Sequence, residues 1–238
     1  MTLQLTAHTV VLDIEGTTSA AGFILGDLYD HARPRLAGWI DEHADDPDVA
    51  QAVARTKADG GLRKTASTAE VVAVLHDWMD HDVKATPLKT IQGQIWARGF
   101  ERGELTSQFF DDVIPRLCAW HAAGIRLAVF SSGSTTSQRS WFQYAPGGDL
   151  TPLISGYFDT VTAGPKKVES SYQSIARALE AQPGRLLFLT DHPEELAAAR
   201  RAAWQAVAVR RAGEPHQGAD FGGAPEIDSF DALEVLAP

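Results

Sequence analysis

The chain has 238 residues and a formal net charge of −10, with 44% hydrophobic and 22% charged residues. This length gives one sizeable domain or two small ones, and the balanced composition excludes disordered and fibrous proteins. The acidic charge argues against a nucleic-acid partner, because phosphate backbones are bound by clustered Lys and Arg. A small phosphorylated substrate is compatible with the acidic charge, since one lysine and a metal ion can hold it.

The cysteine content and the length of the apolar runs indicate where in the cell the protein is expected. The single cysteine, Cys118, cannot form an internal disulfide, which fits a reducing cytoplasm; beside Leu117 in a predicted helix, it is expected in the core. The N-terminal residues have no basic segment followed by a long apolar stretch, so we expect no secretory signal. No apolar run approaches the roughly 18 residues of a membrane span, so we expect no membrane association.

Four short apolar runs predict buried β-strands, at residues 9–12, 126–130, 186–189 and 206–209. Near-continuous apolar runs are typical of parallel strands that are covered by helices on both faces. A helical pattern precedes each of the last three runs, at residues 115–123, 170–181 and 194–203. The alternation predicts an α/β fold with a Rossmann-like parallel sheet.

Over a hundred residues separate the first predicted strand from the second, far more than an ordinary crossover connection. Apolar residues in this interval recur at helical spacing, as in Leu36, Trp39 and Ile40. We therefore predict an inserted all-helical cap domain at residues 19–107, and an α/β core formed by residues 1–18 and 108–238. Residues 211–225, rich in Gly and Pro, are predicted to form a surface loop.

Reactive side chains follow the predicted strands at their carboxyl ends, where parallel α/β sheets bind ligands. Asp13 ends the first strand, Ser131 the second and Asp191 the third, while Lys166 and Lys167 lie in a loop between the last two. Two carboxylates, a hydroxyl and an ammonium group are therefore expected at one edge of the sheet.

These residue types suit phosphoryl transfer to a carboxylate. Asp13 could be the nucleophile, and two carboxylates from separate strands suit Mg²⁺. A lysine and a serine hydroxyl can hold the phosphoryl oxygens. Glu15, two residues after Asp13, could protonate the leaving oxygen and then activate water.

Residues 11–18, Val-Leu-Asp-Ile-Glu-Gly-Thr-Thr, resemble the first motif of the haloacid-dehalogenase superfamily, in which the second acid is usually Asp. The Glu variant followed by Gly-Thr-Thr is similar to the enolase-phosphatases of methionine salvage. The segments 85–96, 130–134, 158–160 and 187–191 match the same family in order and approximate spacing. The resemblance thus extends over about residues 10–209, with five motifs in order.

The resemblance implies that Asp13 is the nucleophile and a Mg²⁺ ligand, and that Glu15 is the acid/base, reaching the metal through its main-chain carbonyl. It implies that Ser131, Ser132 and Lys166 bind the phosphorylated substrate and that Asp191 completes the metal site. The expected reaction converts 2,3-diketo-5-methylthiopentyl-1-phosphate to its enol and then, through an aspartyl-phosphate, to the acireductone 1,2-dihydroxy-3-keto-5-methylthiopentene. A cytoplasmic monomer is expected as well.

Several alternatives stay open at this point. Lys167 could replace Lys166, which is favoured because Tyr172 follows it by six residues as in the family. Glu195 could orient either the metal site or Lys166. The residue that takes the enolising proton is not identified by the sequence. The eight histidines show no spacing typical of zinc ligands. Competing functions are a phosphatase or dehalogenase with another substrate, a signalling receiver domain, and a catalytically inactive binding protein; receivers are shorter and lack such an insertion.

Overall fold

The computed structural model of the protein describes residues 2–81 and 83–238, with only the backbone of Leu25. The chain divides into two compact units, one formed by residues up to Ile24 and from Ser107 onward, the other by residues 25–106. The first unit includes the short helix α1 (Ala21–Phe23).

A six-stranded parallel sheet forms the centre of the first unit, with strand order β4-β3-β2-β5-β6-β7. Its strands are β2 (Thr9–Leu12), β3 (Arg126–Phe130), β4 (Ile154–Phe158), β5 (Leu186–Thr190), β6 (Gln205–Val209) and β7 (Glu226–Ile227). A separate parallel pair joins β1 (Leu3–Thr6) to β8 (Leu233–Leu236). The predicted α/β class with a parallel sheet is confirmed.

The register of the central strands brings their carboxyl ends level. Leu12 of β2 pairs with Val129 of β3 on one side and with Leu189 of β5 on the other. Every residue of β2 and β5 is buried, as expected for strands covered on both faces. The residues that directly follow these three strands therefore meet at one edge.

Four longer helices belong to the sheet unit: α7 (Val113–Ala122), α8 (Thr135–Gln143), α9 (Glu169–Ala178) and α10 (Pro193–Arg201). Ser134 caps α8 by accepting a hydrogen bond from the Ser137 N–H, and Pro193 opens α10, where a missing N–H costs nothing. In the core, the ring of Tyr172 packs edge-to-face on Phe130 and Phe188, with centroids 5.5 and 5.3 Å away.

The second unit is built from helices. A π-helical turn at Ile24–Leu28 leads into it from the first unit, and its α-helices are α2 (Tyr29–Ala32), α3 (Leu36–Glu42), α4 (Pro47–Asp59), α5 (Thr68–Asp80) and α6 (Thr86–Glu101). The described part of residues 25–106 contains no β-strand. Ser67 and Glu70 form a capping box at the start of α5, which satisfies two otherwise unpaired N–H groups.

Some expectations from the sequence are wrong or incomplete. Cys118 is exposed rather than in the core, since α7 buries Val113, Leu117 and Trp120 on its other face. The strands β1, β4, β7 and β8 carry no long apolar run and were not predicted. Among the described residues, no helix is both long and apolar enough to cross a membrane.

Candidate active site

A tight turn after β2 holds Asp13 and the residues that follow it. The N–H groups of Thr17, Thr18 and Ser19 all point to the Ile14 carbonyl, at 3.2, 3.0 and 3.0 Å. Gly16 adopts a φ of +70°, which glycine reaches without the steric cost that a Cβ would bring. This geometry explains why a glycine follows the acidic pair.

Asp13 is buried, and both of its carboxylate oxygens have partners. Its Oδ1 accepts hydrogen bonds from Lys166 Nζ at 2.5 Å and from the Ile14 N–H at 2.8 Å. Its Oδ2 accepts a hydrogen bond from the Thr190 hydroxyl at 3.1 Å. The carboxylate is therefore held in one orientation at the carboxyl end of β2.

Of the two candidate lysines, the structure brings Lys166 to this edge. Lys166 is buried, and its Nζ lies 2.5 Å from Asp13 and 2.7 Å from Glu195. The Lys167 side chain is 55% exposed and pairs with Glu194 at 2.6 Å. Tyr172 donates a hydrogen bond to the Lys166 carbonyl at 2.7 Å, which fixes the lysine's main chain.

Asp191 follows β5 and is tied to the turn after β2. Its N–H donates to the Thr17 hydroxyl at 2.9 Å, and its Oδ2 lies 2.9 Å from His216 Nδ1. The His216 ring also packs on that of His192, with the centroids 4.5 Å apart. The residue is buried, so its carboxylate depends on these partners for orientation.

Burial and mutual repulsion raise the pKa values of two acids in this cluster, Asp191 and Glu195. Burial, followed by the charge of Asp13, raises the pKa of Asp191 to about 6, although His216 and Lys166 oppose the shift. Burial also raises the pKa of Glu195 to about 7 against the pull of Lys166. For Lys166, burial favours the neutral amine, but Asp13 and Glu195 outweigh it and keep the pKa above its ordinary value.

Glu15 and the two serines complete the set of predicted residues. Glu15 is half-buried in the turn after Asp13, and no described residue donates a hydrogen bond to its side chain. Ser131 is buried at the end of β3, where its hydroxyl accepts a hydrogen bond from the Gly133 N–H at 3.4 Å. Ser132 is half-buried next to it. Asp13, Ser131 and Asp191 thus directly follow β2, β3 and β5, and the side chain of Lys166 reaches this edge from a loop.

The charges and donor atoms of this edge fit a hard divalent cation. The buried carboxylates of Asp13 and Glu195 share the ammonium of Lys166, and the buried carboxylate of Asp191 contacts His216, so several acidic groups lie close together at this edge. In the described part of the chain, no group of three or more His, Cys, Asp or Glu side chains is arranged to hold a metal. Two carboxylates completed by carbonyl oxygen and water suit Mg²⁺, which binds through few protein ligands.

Three residues beside the site escaped the sequence analysis. The Thr190 hydroxyl lies 3.1 Å from both Asp13 Oδ2 and Glu195 Oε2, and its place directly before Asp191 in a recognised motif could have revealed it. Thr17 could be found in the same way. His216 could not, because it comes from the predicted surface loop, whose composition carries no sign of a contact with Asp191.

Comparison with known proteins agrees with this architecture. The family model described as "Hydrolase: haloacid dehalogenase-like hydrolase" matches residues 7–203. The UTR4 protein of Saccharomyces cerevisiae has a similar solved structure, with a TM-score of 0.76 and 27% identity over 95% of this chain and 99% of that chain. The fold and the site thus define a hydrolase built on the haloacid-dehalogenase scaffold.

Two bacterial relatives extend across almost the whole chain. "Enolase-phosphatase E1" of Streptomyces avermitilis is 50% identical over 227 residues, which is 95% of each protein. The protein of the same name from Nocardia farcinica is 52% identical over 228 residues, covering 95% of this chain and 96% of the relative. The chain therefore belongs to the enolase-phosphatases of the haloacid dehalogenase-like hydrolase family, as its motifs predicted, and is an enzyme of the phosphatase type.

Proposed function

We propose that the protein is a Mg²⁺-dependent enolase-phosphatase of methionine salvage. It would convert 2,3-diketo-5-methylthiopentyl-1-phosphate to its enol, and the enol to 1,2-dihydroxy-3-keto-5-methylthiopentene plus phosphate. The observation that carries the proposal is the identity of about half of all residues, along nearly the full chain, with proteins named enolase-phosphatase. The buried cluster of Asp13 and Lys166 supports the phosphatase half.

In the phosphatase step, Asp13 attacks phosphorus to form an aspartyl-phosphate while Glu15 protonates the leaving oxygen. Glu15 then takes a proton from the water that attacks the phosphoryl group, which releases phosphate and regenerates Asp13. Lys166, Ser131 and Ser132 hold the phosphoryl oxygens during both displacements. The half-buried side chain of Glu15, in the turn directly after Asp13, is the group proposed for this proton transfer.

The residues proposed to hold Mg²⁺ are Asp13, Asp191 and, through its main-chain carbonyl, Glu15. The bound ion would supply positive charge to the oxygens of the phosphoryl group and of the diketone. Lys166 and Glu195 are proposed to position the nucleophile, since Lys166 contacts both carboxylates. We further propose that the enzyme acts as a monomer in the cytoplasm, where a single cysteine stays reduced.

Substrate profiling tests this function against its nearest rival, a phosphatase or dehalogenase that acts on another compound. With Mg²⁺ present, we expect the diketone phosphate to release phosphate with a kcat/KM at least about tenfold above that of other small phosphate esters. Chloroacetate should release no chloride, and EDTA should abolish phosphate release until Mg²⁺ is restored. A higher kcat/KM for another ester, or chloride release, would favour the rival.

A further inference from the structure

The side chain of Gln138, in the first turns of α8, contacts three main-chain carbonyls with one amide group. Its Nε2 donates to the Gly133 and Phe158 carbonyls at 2.8 Å each and lies 3.4 Å from the Ser131 carbonyl. Gln138 is 1% exposed, so its amide makes these contacts in the interior of the protein. The amide thus joins the loop after β3 to the end of β4.

These contacts fix the orientation of the loop's peptide groups. In a planar trans peptide, the carbonyl and the N–H of the next residue point in opposite directions. Because the carbonyls of Ser131 and Gly133 face Gln138, the N–H groups of Ser132 and Ser134 face away from it. The Ser131 N–H is also held, by the Phe158 carbonyl at 3.2 Å.

A further hydrogen bond holds the loop after β3 in this conformation. The Thr135 N–H donates to Asp159 Oδ2 at 3.0 Å, which anchors the far end of the loop to the turn after β4. The Oε1 atom of Gln138 is buried without a donor among the described residues. A buried polar atom without a partner costs about 1–3 kcal/mol, so packing alone would favour an apolar side chain here. The hydrogen bonds that Nε2 donates to the loop therefore explain why an amide side chain is present at this position.

We propose that Gln138 is a positioning residue for the phosphate-binding loop of residues 131–134. It orients the loop's peptide groups, so that the hydroxyls of Ser131 and Ser132 and the outward N–H groups are presented to a phosphoryl group. The inference rests on the proposed function, because it assigns the loop to phosphate. Gln138 touches no reacting atom and acts only through the loop.

The test compares two shape-conserving variants with a matched control. Gln138→Met keeps the length of the side chain and removes the donor, whereas Gln138→Glu places a carboxylate against carbonyl oxygens. Gln143→Met makes the same change at an exposed position of the same helix. For each protein, we would measure the inhibition constant of inorganic phosphate, the Mg²⁺ dissociation constant by calorimetry, KM, kcat and Tm.

We expect both Gln138 variants to bind phosphate about tenfold more weakly, the equivalent of one good hydrogen bond to the ligand, and to raise KM more than they lower kcat. Their Mg²⁺ affinity and the phosphate affinity of Gln143→Met should stay within about twofold of wild type. If Gln138→Met does not fold, the same comparison is made with Gln138→Glu.

Three results would overturn the inference. The first is an unchanged phosphate inhibition constant in a folded Gln138 variant. The second is an equal loss of phosphate and Mg²⁺ affinity together with a fall in Tm, which indicates a purely structural role. The third is failure of both Gln138 variants to fold. Failure of the wild-type protein itself to bind phosphate would instead refute the proposed function, and with it the role of the loop.

Discussion

Asp13 and Glu195 share a single ammonium group, that of Lys166, at 2.5 and 2.7 Å. The two carboxylates come from the end of β2 and from α10, and all three side chains are buried. An ion pair in this setting is strong only while every member is present, because a buried charge without its partner is costly. The orientation of Asp13 therefore depends on Lys166 and, through it, on Glu195.

Replacing Lys166 tests which lysine serves the site. Lys166→Met leaves two buried carboxylates facing each other and removes a cation for the phosphate, so we expect KM to rise at least about tenfold. Lys167→Met should stay within about twofold of wild type, because this exposed lysine forms only a surface ion pair. Steady-state kinetics on both variants decide the assignment, and a larger effect at Lys167 would reverse it.

The nucleophile is tested by Asp13→Asn. An amide is a poor nucleophile and a poorer metal ligand, so phosphate release should fall by at least about 10³-fold while the protein stays folded. Asp111→Asn, the same change at an exposed position, serves as the control. Acid-quenched wild-type enzyme should carry one phosphoryl group on the peptide that contains Asp13. Substantial turnover by the Asn variant would refute the aspartyl-phosphate.

Two glycines with the same left-handed backbone conformation allow the effect of backbone strain to be separated from the effect of crowding at the proposed metal site. Gly16 has a φ of +70°, and a Cβ built on it would lie 2.7 Å from Cγ of Asp191. Gly61 has a φ of +68°, with nothing within 4 Å of its Cβ position. Alanine at either position costs about 1 kcal/mol of stability from the left-handed backbone.

Only Gly16→Ala is expected to displace Asp191, and it should weaken Mg²⁺ binding by about 10-fold or more. Calorimetric titration with Mg²⁺ and thermal unfolding of both variants measure the two effects separately. Equal Mg²⁺ affinity in Gly16→Ala and Gly61→Ala would show that the Asp191 carboxylate is not part of the metal site.

A second buried ion pair, between Arg211 and Asp112, predicts a pH dependence of stability. Arg211 Nη1 donates to both carboxylate oxygens of Asp112, at 2.9 and 2.8 Å, and its Nε donates to the Thr17 carbonyl at 3.1 Å. Burial would raise the pKa of Asp112, but hydrogen bonds from Arg211 and from the Phe230 N–H hold it below its ordinary value.

Asp112→Asn should lower the free energy of unfolding on the order of 3 kcal/mol at neutral pH, because it leaves Arg211 buried without its counter-charge. A carboxyl whose pKa is lower in the folded state stabilises the fold above its ordinary pKa of 3.8 and loses this effect as the pH falls through the folded-state pKa. The difference from wild type should therefore shrink below about pH 3.8.

Denaturant unfolding at several pH values measures this difference. The control is Asp231→Asn, which breaks an ion pair between Arg116 and a 70% exposed carboxylate and should cost no more than about 1 kcal/mol at any pH. A constant difference between Asp112→Asn and wild type across the acid range would contradict the assigned pKa shift.

The central strands and the residues at their ends could be predicted, because an apolar run that stops at Asp or Ser is typical of a buried strand whose carboxyl end faces a ligand. The run at residues 126–130 coincides with β3, and that at 186–189 with all but the last residue of β5. β4, Ile-Ser-Gly-Tyr-Phe, escaped because Ser155 and Gly156 interrupt its apolar pattern. β1 and β8 escaped because their alternating residues face one another across the termini, a pairing that local sequence does not encode.

Contacts between loops could not be predicted from the sequence either, because the partners are far apart along the chain. His216 reaches Asp191, and Gln138 reaches Phe158, only once the sheet has brought their loops together. Neither residue stands in a periodic pattern, and a glutamine in a helix usually faces solvent. The sequence favours Lys166 over Lys167 by its spacing from Tyr172, and in the structure Lys166 is buried against Asp13 whereas Lys167 is exposed.

The most direct test follows the enol absorbance and free phosphate together in one cuvette, with purified protein, Mg²⁺ and the diketone phosphate. We expect that the enol appears before phosphate, that both signals are lost with EDTA, and that Asp13→Asn releases no phosphate. Phosphate release without a preceding enol would contradict the enolase half and leave a phosphatase. Absence of both signals from folded protein with Mg²⁺ bound would contradict the assigned substrate altogether.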